Sequence, residues 1–270
     1  MENRKFKIVI LISCMHEENY EILGRTNVQT DAIVINQCNR ESVERIQFID
    51  KFNNVHNAVF VCTTQRGLSK SRNMALNYAA GYDICIICDD DEIMSDNYDS
   101  LLNEAYNKYR TADVIAFSIK CDEYTRVYPK TDSKLNFFDI LKTSSQQITF
   151  KYQSLRERSI WFDEKMGSGT GNGPGEETKL LLTCRKKGCN MRYSSFCLAE
   201  INKGDSKWFH GYTERYFENQ GWTDRRILGS FLGMVYIFYW SIFRRSEYKA
   251  DGISVIDAIK YSLKGYFSKR

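Results

Sequence analysis

Five short apolar runs in the first 120 residues constrain this chain more than anything else in it. They are FKIVILI (6–12), DAIVIN (31–36), AVFVC (58–62), DICIIC (83–88) and DVIAFSI (113–119). Each is nearly continuous and rich in β-branched residues, the pattern of a strand covered on both faces. Helical segments lie between them. In GLSKSRNMALNYAAG, Leu68, Ala75, Leu76 and Ala79 share one face and Gly81 suits a C-cap. After the fourth run, Ser95 or Asp96 is the expected N-cap of a helix turning Leu101, Leu102 and Ala105 inward. This alternation predicts an α/β fold with a Rossmann-like, mostly parallel central sheet flanked by helices.

Beyond residue 120 the pattern loosens. Residues 120–165 read as a helix, a strand and loops, and GSGTGNGPG (167–175) is a glycine-dense loop followed by a helix, EETKLLLTCRKKG, ending at Gly188. The run ILGSFLGMVYIFYWSIF (227–243) has no charge and is bracketed by Arg225-Arg226 and Arg244-Arg245, with an amphipathic helix after it. Seventeen residues is the short limit for a membrane span, so spanning, lying on a membrane surface and packing internally all stay open.

A chain of 270 residues suits one large α/β domain, or one domain with an appendage. Its net charge of +4 is uneven: from Lys203 onward twelve Lys/Arg face seven Asp/Glu, giving +5 and leaving about −1 for the rest. The basic character belongs to the tail, and no nucleic-acid partner is expected. Nine cysteines, several inside apolar runs (Cys14, Cys62, Cys85, Cys88), with no secretory signal at the start, predict reduced, buried thiols in the cytoplasm. Cys85 and Cys88 have CxxC spacing, but a strand points them to opposite faces. The phosphate-loop pattern GxxxxGK[ST] is absent.

The fourth run ends in ICIICDDDEIMSD, four adjacent carboxylates at the end of a buried-type strand. Crowded carboxylates raise one another's pKa unless a cation is present, and the carboxyl ends of parallel strands are where open α/β sheets bind ligands. A hard divalent ion, Mg²⁺ or Mn²⁺, is the economical partner. In extended backbone Asp89 and Asp91 would point to one side and Asp90 away. A solvated acidic turn is the competing reading.

The stretch RGLSKSRNMALNYAAGYDICIICDDDE resembles the one in family 2 glycosyltransferases of the GT-A fold, where a Gly-x-Ser-x-x-Arg-Asn helix leads through an apolar strand to an Asp-x-Asp motif. Gly67, Ser69, Arg72, Asn73, Asp89 and Asp91 are in register with that pattern. The resemblance implies that Asp89, Asp90 and Asp91 bind the metal and diphosphate of a nucleotide-sugar donor, with a UDP-sugar as the leading expectation. GTGNGPGEETKLLL is similar to the family's glycine-rich loop and its acidic pair, and implies Glu177 as the general base with Glu176 beside it. By position, Ser13, Met15, Glu17, Asn36 and Gln37 should border the nucleotide, although they depart from the family's usual residues there. Arg66 and Arg72 flank the helix start that should face the diphosphate, with Arg72 equally able to pair with the acidic cluster. His210 is a candidate third metal ligand, and Trp161 and Phe162 are candidates for stacking on a sugar.

These expectations divide the chain into a catalytic domain (1–222, nucleotide side to about 120, acceptor side from 121) and a helical, membrane-associating tail (223–270). The implied reaction is an inverting, metal-dependent sugar transfer to a saccharide acceptor on a lipid carrier, in bacterial capsule, O-antigen or exopolysaccharide assembly at the inner face of the membrane. The alternatives are a nucleotidyltransferase, for which SCMHEEN (13–19) offers no basic phosphate loop, and a membrane-associated nucleotide-binding protein with a degenerate site.

Overall fold

The computed structural model describes residues 3–121, 128–201 and 211–270. The five apolar runs form β1 (Ile8–Met15), β2 (Asp31–Gln37), β4 (Val55–Thr63), β5 (Ile84–Asp89) and β7 (Val114–Cys121). The other strands are β3 (Ser42–Ile49), β6 (Glu92–Met94), β8 (Ser133–Lys134), β9 (Ile148–Lys151) and β10 (Met191–Ile201). They form one ten-stranded sheet in the order β3-β4-β2-β1-β5-β9-β7-β10-β6, with β8 beside β10. Strands β4, β2, β1 and β5 make the parallel core expected of the α/β fold. Strands β3, β6, β8 and β9 pair antiparallel, so the sheet is mixed.

The helices are α1 (Glu21–Arg25), α2 (Leu68–Tyr78), α3 (Tyr98–Lys108), α4 (Phe137–Ile140), α5 (Tyr152–Glu157), α6 (Glu176–Lys186), α7 (Glu214–Phe243), α8 (Arg245–Tyr248) and α9 (Val255–Tyr266). The continuous apolar character of the core strands has a direct cause. Ile10, Ile12, Ile84, Ile86 and Cys88 pack into a core on one face, and Val9, Leu11, Cys85 and Ile87 into a core on the other. Cys85 and Cys88 thus point to opposite faces. The N-cap of helix α3 is Asn97, one residue after the later of the two expected caps, Asp96, and two after Ser95, and it takes a left-handed conformation (φ 57°).

The chain divides into two compact units. The first comprises the described residues of Met1–Arg66, Lys70–Phe162 and Leu180–Lys203, and holds the sheet. The second comprises those of Gly67–Ser69, Asp163–Lys179 and Gly204–Arg270.

In the second unit the stretch assigned to α7 is two helical arms, 214–228 and 230–243, broken at Gly229, whose φ of 79° and ψ of −175° only glycine adopts readily. In a straight helix residues 217 and 240 would stand about 35 Å apart; the rings of Phe217 and Trp240 are 5.8 Å apart. The chain therefore folds back on itself, and a Cβ on Gly233 would lie 2.8 Å from the Asp224 carbonyl oxygen. Helix α9 packs as closely on the first arm: a Cβ on Gly221 would meet the Ser262 carbonyl at 1.9 Å, and one on Gly265 the Glu218 carbonyl at 1.8 Å. Phe217, Tyr248 and Ala258 centre an aromatic cluster there.

Candidate active site

The expected nucleotide-side residues do meet at one edge of the sheet. Register pairs Met15 with Gln37 and Cys14 with Asn36 across β1 and β2, and Ser13 with Asp89 across β1 and β5. Ser13, Met15, Asn36, Gln37 and Asp89 thus share the carboxyl ends of three adjacent parallel strands, the usual place for a ligand in such sheets. Ser71 on α2 donates its hydroxyl to Ser13 at 2.8 Å, tying the helix to that edge.

Individual roles differ from the expectations. The buried amide of Asn36 accepts from the Glu17 N–H at 3.0 Å and donates to the Glu17 carbonyl at 2.7 Å, which clamps the loop after β1. Glu17 itself pairs with Arg25 at 2.6 Å. Arg66 donates to the Thr63 and Gln65 carbonyls and to Asn39, fixing the loop between β4 and α2. Trp161 is half-buried under the Arg156 guanidinium at 3.6 Å, and Phe162 is buried in the core. His210 lies outside the described residues.

The Arg-Asn pair of α2 is a structural clamp. Asn73 donates to the Phe162 carbonyl at 3.0 Å and accepts from the Phe162 N–H at 2.9 Å, while the Arg72 guanidinium lies 5.4 Å from the Phe162 ring centre. Arg72, only 1 % exposed, then donates to Oδ1 of Asp89 at 2.8 Å. On its other oxygen Asp89 accepts from the Ser145 hydroxyl at 3.0 Å and the Gln146 amide at 3.5 Å. Both oxygens of the first acidic residue are thus engaged by protein. Ser145 and Gln146 were not singled out from the sequence; the one signal is the Ser-x-x-Gln spacing of residues 144–147, where the Ser144 N–H donates to the Gln147 side chain and shapes a short 3₁₀ turn.

Past Asp89 the chain does not stay extended. Asp90 and Asp91 form an exposed turn between β5 and β6, so the alternation expected of them does not apply. Glu92 lies on β6, fully buried, with Oε1 accepting the Asp89 N–H at 2.8 Å and Oε2 without a hydrogen-bond partner among the described residues. Burial, then the charge of Asp89, pushes its carboxyl well above the usual range. Asp90 is also raised, by the protein around it first and then by repulsion from Asp89 and Asp91.

This arrangement fits a divalent cation: two adjacent carboxylates, Asp90 and Asp91, are exposed on one turn and offer the oxygen donors a hard ion takes. Among the described residues no three His, Cys, Asp or Glu side chains converge on a metal position. Protein ligands alone would leave the ion incomplete, as suits Mg²⁺ or Mn²⁺ completed by substrate phosphates and water.

Within the second unit, the glycine-dense loop is shaped by contact. Leu68 donates its N–H to the Ser168 carbonyl at 2.9 Å, and Ser69 its hydroxyl to the Met166 carbonyl at 2.8 Å. A Cβ on Gly173 would overlap Thr223 Oγ1 at 1.9 Å, and Arg226 holds Asp163 through two bonds of 2.6 and 2.7 Å. Gly67 (φ 121°) lies against Gly169, with 3.2 Å between its Cα and the place a Gly169 Cβ would occupy. Glu176, 5 % exposed, accepts the Gly175 N–H at 3.1 Å and packs against Gly167, so it belongs to the loop's scaffold. Glu177 is half-buried and the more accessible of the two.

The family model described as Glycosyl transferase family 2 matches residues 21–164, more than half of the chain and including the whole acidic turn. The chain belongs to glycosyl transferase family 2 and is a glycosyltransferase. The glycine loop, Glu177 and the helices of the second unit lie beyond the matched residues. Among solved structures, the crystal structure of S. aureus TarS 1-349 is similar at a TM-score of 0.59 and 14 % identity, covering 96 % of this chain and 89 % of that one. The same TarS fragment in complex with UDP-GlcNAc gives 0.60 at 14 % identity over the same shares, and the structure titled S. aureus TarS gives 0.58 at 12 %, covering 96 % of this chain and 54 % of that one. At this identity the likeness establishes a shared GT-A fold. Comparison with curated protein sequences gives no match.

Proposed function

We propose that this glycosyltransferase moves a sugar from a UDP-sugar to a saccharide hydroxyl with inversion, using a divalent metal, at the cytoplasmic face of a bacterial membrane during surface-polysaccharide assembly. The observation that carries the reading is the acidic turn at the ends of β1, β2 and β5: Asp89 anchored by Arg72 and Ser145, Asp90 and Asp91 exposed beyond it. TarS structures with UDP and with UDP-GlcNAc support the donor class.

In this mechanism Asp91, with Asp90 beside it, would hold a cation, and Asp89 keeps the turn in place. A metal bound there would supply positive charge for the departing nucleoside diphosphate. Glu177 takes the acceptor's hydroxyl proton, the oxygen forms a bond to the anomeric carbon, and the bond from that carbon to the phosphate oxygen breaks with its electrons leaving on the diphosphate. Glu176 fixes the loop from which Glu177 acts. The residues at the ends of β1 and β2, Met15 and Gln37 above all, border the base.

Thermal unfolding with UDP and Mn²⁺ tests the donor half. The reading expects a raised melting temperature that needs both components and is lost in Asp91→Ala. Stabilisation by a nucleoside triphosphate but not by UDP or GDP would favour a nucleotidyltransferase. Metal-dependent UDP binding without turnover of any sugar nucleotide would favour the degenerate binding protein.

A further inference from the structure

The back-folded second arm of α7 exposes an apolar face that the second unit does not cover. Phe231 is 78 % and Phe243 71 % exposed, with Leu232, Val235, Phe238 and Ile242 also exposed. At 100° per residue these six fall on one side of the arm, while Gly233, Ile237 and Ser241 occupy the buried side. Exposed Arg244 and Arg245 close the arm, and exposed Lys249, Lys260 and Lys269 follow. From residue 211 onward ten basic residues face six acidic ones, and two of the six, Glu218 and Asp224, are buried.

The break at Gly229 rules out the single span that the uncharged run left open. The arm has fourteen residues, about 21 Å of helix, against a hydrocarbon core of about 30 Å. A large apolar face ending in cations is instead the pattern of a helix lying in the plane of a membrane surface. Parallel pairing with a second copy of the same face would set like-charged Arg244-Arg245 ends against each other.

We propose that the 230–243 arm is an in-plane anchor for an anionic bilayer, its aromatic and aliphatic face in the acyl boundary and Arg244 and Arg245 among the headgroups. This deepens the membrane placement proposed above, rests on that reading alone, and is independent of the sugar-transfer chemistry.

The test is flotation of the full chain with vesicles of phosphatidylcholine alone and of phosphatidylcholine with about one-third phosphatidylglycerol. The proposal expects binding to the anionic vesicles, weakened by salt. A Phe231→Asp/Phe243→Asp double variant should lower binding by roughly tenfold or more. Arg244→Glu/Arg245→Glu should remove the preference for anionic lipid. Both pairs are exposed, so near-ultraviolet circular dichroism and the UDP-dependent melting shift should be unchanged, which separates failure of the anchor from failure of the donor site. Absence of flotation with either vesicle, or full flotation of the Phe double variant, would overturn the proposal. So would a dimer that the Phe substitutions dissociate, because it would assign the face to a second copy.

Discussion

At the residue scale the acidic motif is divided between support and exposure. Asp89 is held through both oxygens, whereas Asp90 and Asp91 are exposed on their turn. Substitutions should separate along that line. Arg72→Met leaves a partly buried carboxylate without its main partner and should cost about 3 kcal/mol in urea unfolding. Ser145→Ala should cost about 1 kcal/mol and reduce turnover without abolishing metal-dependent UDP binding. Asp91→Asn should leave unfolding nearly unchanged and abolish that binding. Equal destabilisation by all three would contradict the division.

Asp224 supplies a separate prediction. Burial raises its carboxyl to about 8, with Gln220 as its one hydrogen-bond partner among the described residues. The folded state therefore holds this proton far more tightly than the unfolded chain, where an aspartate titrates near 3.9. Its contribution to stability is fully present below about pH 4, declines as pH rises, and is lost above about pH 8. Melting temperatures of wild type and Asp224→Asn across this range should diverge in favour of the variant as pH rises, by up to about 1.4 kcal/mol per pH unit. A constant difference would show that Asp224 is not protonated in the fold.

At the element scale, legibility followed the kind of signal each segment carries. Continuous apolar runs are conspicuous, and all five proved to be strands. β3 was missed because its residues alternate between exposed and half-buried, so Ser42–Ile49 contains no apolar run. β6 is three residues long, and β10 is mixed in polarity and bulged near Cys197, so neither stands out by period. The turn at Asp90 and Asp91 was misread because backbone reversal depends on where strand pairing stops, which local sequence does not record. The residues that hold Asp89 were invisible for the same reason, since Ser145 and Gln146 lie more than fifty positions away in the chain.

Glycines decide the second unit at the same scale. Gly221 and Gly265 bring α9 and the first arm of α7 to backbone contact, and Gly229 permits the reversal. Gly265→Ala should destabilise by about 2 kcal/mol or more, because the obstructing atom is the fixed backbone of Glu218. Ala at exposed Gly24, where a Cβ has open space, should be neutral or mildly stabilising. Differential scanning calorimetry of the two variants checks the contrast.

For the whole molecule, a buried parallel core places the acidic turn at its carboxyl edge, and family membership makes the chain a glycosyltransferase. All eight cysteines whose side chains are described are free thiols, six of them buried, so cohesion comes from packing. The central claim is a metal-dependent UDP-sugar site whose chemistry requires Glu177. Its most direct measurement is release of UDP from a panel of UDP-sugars by the purified full chain, with Mn²⁺ and with chelator. The account predicts slow, Mn²⁺-dependent hydrolysis of at least one donor, abolished in Asp91→Ala. With a panel of saccharide acceptors added, release should accelerate for one of them in wild type but not in Glu177→Gln, which still binds UDP. Absence of release from every donor, or release that persists undiminished in chelator or in Asp91→Ala, would contradict it.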